Sequence, residues 1–142
     1  MWADTLQSAE RLHLLRLLVW GVANIVTGTA LFAWLHASGR QSSLLRHFAA
    51  QCVAWGVGEA AIAATLVTHV YPRDVAAATH LDRILWLTIG LDIGGVTLGA
   101  AFIAAGWTLG RRLGMVGAGI AIVMQGLAIL VINLAWAAVI SR

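Results

Sequence analysis

The sequence predicts an all-α membrane protein: a four-helix transmembrane bundle of two hairpins, forming one domain over residues 1–142. Three observations carry that prediction. Hydrophobic residues make up 61% of the chain and charged residues 11%, with a mean hydropathy of +0.87, a balance foreign to soluble domains. The apolar residues gather into four stretches, near 14–35, 47–70, 83–105 and 115–139. At 1.5 Å per residue each is long enough to cross a hydrocarbon core of about 30 Å. The segments between them are short and have turn composition, so successive spans run antiparallel.

The first span follows a polar start in which Asp4 and Glu10 stand among the basic residues. Its apolar run is of full length, so it is expected to stay as a helix instead of being removed as a signal. His36 to Ser43 is small and polar and reads as the first connection, and Tyr71-Pro72-Arg73-Asp74 holds the single proline, which ends the second span. Gly106 to Gly114, with Arg111 and Arg112 at its turn, is expected to join the third span to the fourth. Trp34, Tyr71, Trp86, Trp107 and Trp136 fall near segment ends, where amphipathic rings settle at headgroup depth. Trp20 and Trp55 lie deeper and need another role.

Charge narrows the function. The net charge of +3 and pI near 10.5 come from nine arginines with no basic stripe, which argues against nucleic acid as a partner. Arg11, Arg16, Arg73, Arg83 and Arg142 lie on the side of the termini and Arg40, Arg46, Arg111 and Arg112 on the other, too even a division to set the orientation. There is no lysine, which excludes a retinal-type Schiff base, and the lone Cys52 excludes a disulfide within the chain. His36 with His47, and His69 with His80, lie near opposite membrane surfaces; such residues are more often polar anchors than ligands to a metal or haem. Gly114 to Gly119 has the spacing of a dinucleotide loop but no preceding strand. No nucleophile is paired with a base, so neither an enzyme nor a cofactor is expected.

The chemistry concentrates at mid-span, where Asn24, Glu59, Asp92 and Gln125 occupy one central position in each of the four stretches. Each lies on a small-residue stripe at helical spacing: Gly21 and Gly28 flank Asn24, Gly56 precedes Glu59, Gly95 and Gly99 follow Asp92, and alanines flank Gln125, with Asn133 a quarter turn round. Small residues mark close helix approach in lipid, so Gly21, Gly28, Gly56, Gly95 and Gly99 are predicted close-packing positions and the polar groups are predicted to face inward. A lipid-facing carboxylate at this depth costs at least roughly 2.5 kcal/mol. The two acids are therefore expected to titrate as a coupled pair with at least one protonated. Trp20-Gly-Val-Ala-Asn24 and Trp55-Gly-Val-Gly-Glu59 form a short repeat whose members would meet near mid-membrane.

Trp20-Gly21 with Asn24, His47-Phe48 through Gln51, Trp55 and Glu59, Gly90-Leu91-Asp92-Ile93-Gly94, and Gly117-x-Gly119 followed by Gln125-Gly126 and Asn133 together resemble a bacterial family of small four-span membrane proteins of unknown function. The resemblance covers nearly the whole chain and implies a fold and a multi-pass place in the bacterial cytoplasmic (inner) membrane, without an activity. In that family's pattern asparagine stands near positions 51 and 59 and aspartate at 133, where this chain has Gln51, Glu59 and Asn133. Two functional readings follow from the residues. In one, the central cluster is neutral hydrogen-bonding glue in an accessory or scaffold subunit, whose partners are the lipid bilayer and a homo-oligomer or larger membrane complex. In the other, Glu59 and Asp92 bind a proton or cation in a minimal transporter or channel.

Overall fold

The computed structural model describes residues 2–140 and contains four helices: α1 (Trp2–Ala37), α2 (Ser43–Val67), α3 (Val75–Thr108) and α4 (Leu113–Ile140). All four are long and apolar enough to span a membrane, and no strand occurs among the described residues. Arg142, counted above with the terminal arginines, lies outside them.

The connections are tighter than composition suggested. α3 continues through Gly106 to Thr108 and α4 starts at Leu113, so the expected 106–114 connection shrinks to four residues. Gly110 (φ 82°) and Arg111 (φ 56°) take left-handed backbone that reverses the chain, and the amide of Arg112 donates back to the Gly106 carbonyl at 2.6 Å. At the first tip Gly39 (φ 63°) plays the same part. Ser42 then caps α2 by accepting from the Leu45 amide at 3.3 Å, as Asp74 caps α3 by accepting from Ala77 at 2.8 Å.

α1 begins twelve residues before the expected span, and tertiary contacts explain why its polar first turns stay helical. Glu10, only 6% exposed, accepts two hydrogen bonds from Arg73 in the α2–α3 connection, from Nε at 2.9 Å and from Nη2 at 2.5 Å. That carboxylate also pushes the Arg73 guanidinium pKa further up. Gln7 donates to the Val70 carbonyl at 3.3 Å, and buried His13 stacks on Trp136 of α4 with centroids 4.2 Å apart. These contacts clamp the terminal end of the bundle.

α4 is the hub. It packs on α1, α2 and α3, α1 also packs on α2, and no residue of α3 comes within 8 Å, Cα to Cα, of α1 or α2. Small residues on several faces of α4 permit this. On one face, a Cβ added at Gly119 would lie 2.6 Å from the Gly99 carbonyl oxygen of α3, and one added at Gly99 would lie 2.8 Å from that of Gly119. Gly117 faces α2 so closely that a Cβ would collide with the Leu44 carbonyl, and Gly114 sits under His47. The α1–α2 crossing is built in the same reciprocal way: an added Cβ on Gly21 would stand 2.8 Å from the Gly56 oxygen, and one on Gly56 2.6 Å from the Gly21 oxygen. The two glycines of the Trp-Gly-Val repeat are thus the contact point of their hairpin. Buried Leu14, Gly21, Gly28 and Leu35 against Ala49, Gly56 and Ala63 continue the seam every seven residues, the period that keeps two helices in register along their length.

Gly95 departs from the expected close-packing set. A Cβ there would meet nothing within 4 Å. The contact face of α3 turns the other way from Asp92, through Val96 and Ile103, which meet Gly126 and Gly119 of α4. Gly95 therefore falls on the flank of that seam.

Candidate functional site

The mid-span polar residues divide into two bonded groups on different faces of α4, with one acid bonded to neither. On the α1 side, the Trp20 indole N–H donates to Gln125 Oε1 at 2.7 Å, Gln125 Nε2 donates to Asn24 Oδ1 at 2.5 Å, and Asn24 Nδ2 donates to the Trp20 carbonyl at 2.9 Å. Asn24 and Gln125 are buried, at 3% and 1% exposure. The two amide side chains, the indole and the Trp20 carbonyl close a ring of hydrogen bonds in which the indole N–H is met. Trp20 belongs to the site although its sequence signal was only an aromatic ring too deep for a headgroup anchor, one turn before Asn24.

On the α3 side, buried Asn133 donates through Nδ2 to Asp92 Oδ2 at 2.7 Å. Gln125 and Asn133 are eight residues apart, which at 100° per residue turns them about 80° from each other. That quarter turn sends Gln125 to α1 and Asn133 to α3, so α4 uses one amide for each of these two neighbours.

Glu59 stands apart. Both of its carboxyl oxygens are sealed from the surface and neither has a hydrogen-bond partner. It shares the face of α2 that carries buried Cys52, seven residues earlier, and the Asp92 carboxyl lies within electrostatic reach. The four central residues thus do not form one network: Asn24 joins Gln125, Asp92 joins Asn133, and Glu59 is bonded to none of them. Trp55, the other deep tryptophan, is half-exposed on the outside of α2.

Two clefts lie elsewhere. An apolar groove between α1 and α4 is lined by Leu12, Val19 and Ile132 among others, and a larger cleft opens at the α1–α2 tip. His36 and His47 both line that second cleft, while His69 Nδ1 is hydrogen-bonded to its own helix end, at the Thr65 carbonyl and the Thr68 hydroxyl. Among the described residues no three His, Cys, Asp or Glu side chains gather as a metal site.

Residues 16–134 match a family of unknown function, DUF6992, and the chain belongs to that family. The match runs from the middle of α1 to just beyond Asn133, so all five polar residues and Trp20 fall inside it. No curated protein and no solved structure matches the chain.

Proposed function

We propose that this DUF6992 member is a non-enzymatic accessory or scaffold subunit of the bacterial cytoplasmic membrane, and that its mid-span amides hold the helices in place for a partner. The observation that carries this reading is the saturation of α4: Gln125 is bonded to both Trp20 and Asn24, and Asn133 to Asp92, so each amide ties the hub to a different helix. Interhelical hydrogen bonds of this kind contribute only about 0.6 kcal/mol each in membranes, enough to select an arrangement. The one-sided attachment of α3 supports a partner as well, because Leu91, Ile93 and Leu98 face outward from a helix whose backbone approaches α4 alone. The partner is a second copy of this chain or another membrane protein, within the lipid bilayer.

One observation favours the second reading, a proton or cation site in a minimal transporter. The Glu59 carboxyl is enclosed and unbonded, and an ionisable group kept inside a membrane without a partner is a functional candidate by default. A single pair of measurements separates the two readings. Purified protein in liposomes is assayed for proton and cation flux alongside Glu59→Gln and Asp92→Asn, and the tagged protein is isolated from its native membrane in mild detergent. Absence of flux together with a co-purifying assembly is expected. Flux in the parent that either variant abolishes with the fold intact overturns the scaffold reading.

A further inference from the structure

Beyond the mid-span residues, we infer that the cleft at the α1–α2 tip is a binding site for a phosphate group, carried by an anionic lipid headgroup or by a soluble phosphate. The cleft encloses about 960 Å³ between the last turn of α1 and the first turn of α2. Its polar wall is formed by His36, Arg40, Gln41, Arg46 and His47, and its apolar wall includes Phe32. Among the described residues no carboxylate lines the cleft beside these cations. Asp4, Glu10, Asp74 and Asp82 lie at the other end of the bundle, and Glu59 and Asp92 lie at mid-span.

Two further features fit a phosphate. Guanidinium groups present paired N–H donors that match phosphate oxygens, so two arginines in one cleft give both charge and geometry. The Arg40 guanidinium lies over the Trp34 ring, 5.3 Å from its centroid, and Trp34 is itself exposed beside the cleft, so the cation is held at the depth where lipid phosphates lie. The His47 Nδ1 is engaged with the Ser43 carbonyl at 2.8 Å, which fixes the ring between α2 and Gly114. A basic pocket with one apolar wall at this depth is the arrangement that admits an anionic headgroup while its chains stay in the bilayer.

The test uses the full-length protein in nanodiscs of phosphatidylcholine with a minor fraction of phosphatidylglycerol, followed by native mass spectrometry of the retained lipid. The parent should retain phosphatidylglycerol in preference, and Arg40→Gln with Arg46→Gln should cut that preference about fivefold for each charge removed. Arg111→Gln with Arg112→Gln removes the same charge from the other tip on the same membrane face and should leave the preference nearly intact. A second arm titrates inorganic phosphate into pure phosphatidylcholine nanodiscs and follows the unfolding temperature. Stabilisation there that is lost in Arg40→Gln/Arg46→Gln, without lipid selectivity, assigns the site to soluble phosphate. Equal losses from both double variants, or no effect of phosphate or phosphatidylglycerol, overturn the proposal. Arg40→Lys/Arg46→Lys, which keeps the charge but not the paired donors, guards against misfolding and should bind with intermediate strength.

Discussion

Replacing Gln125 by leucine removes the amide that ties α4 to α1 while nearly preserving side-chain volume. Two hydrogen bonds are lost, one from Trp20 Nε1 at 2.7 Å and one to Asn24 Oδ1 at 2.5 Å. At the membrane average of about 0.6 kcal/mol each, the loss is roughly 1.2 kcal/mol. The orphaned Trp20 N–H raises this, because an unmet buried donor costs about 1–3 kcal/mol. Asn24 keeps its own bond to the Trp20 carbonyl and so moderates the effect. The expected destabilisation is about 1–3 kcal/mol, read from reversible unfolding in mixed micelles. A double-mutant cycle isolates the bond: Trp20→Phe deletes the indole N–H and keeps an aromatic ring, and its coupling to Gln125→Leu should be about 0.6 kcal/mol. A coupling indistinguishable from zero, with both single variants folded, refutes the ring of hydrogen bonds and with it the placement of α1 on α4.

Gly21→Ala should destabilise by about 1–2 kcal/mol, since its Cβ would stand 2.8 Å from backbone atoms of Gly56 and Ala60, while Gly95→Ala, with nothing within 4 Å, should be neutral in the same unfolding assay. Glu10→Ala should loosen the terminal end of the bundle: faster amide exchange over residues 3–13 checks it, and unchanged protection there contradicts the clamp formed with Arg73. Glu59→Leu should leave stability unchanged or raise it by about 1 kcal/mol, because it removes an enclosed group with no partner; clear destabilisation would mean the carboxyl is bonded after all.

The spans and their reversal points were legible because bilayer thickness imposes a length on apolar runs, and because Gly39, Pro72 and Gly110 mark where helix cannot continue. The early start of α1 was hidden, since Asp4, Glu10 and Arg11 look like a solvated lead-in until Glu10 is seen buried against Arg73, sixty-three residues away. Faces were legible only to the resolution of helical spacing. Gly95 and Val96 stand on either side of the line from Asp92 to Gly99, and nothing within α3 says which side its neighbour takes. The division of the polar residues was hidden for the same reason: spacing places a residue on one face of its own helix and is silent on which helix lies opposite.

That silence matters most for α4. A helix with glycine on one side would serve one neighbour, whereas Gly114 and Gly117 toward α2, and Gly119 and Gly126 toward α3, let two backbones approach from different directions and leave Gln125 for a third. With the α3 backbone close to α4 and not to α1 or α2, the acids do not share one bonded network with both amides. Asp92 takes Asn133, and Glu59 receives no bond from any of them. If the amides serve as glue, nothing in the packing requires an acid at position 59, where leucine would fill the space without an unmet polar group. The scaffold reading therefore accounts for Asn24, Gln125, Asn133 and Asp92, and Glu59 is the one residue whose chemistry it leaves unused. This is why the flux assay is built on Glu59→Gln: an enclosed acid with no structural duty is where a transport function would reside.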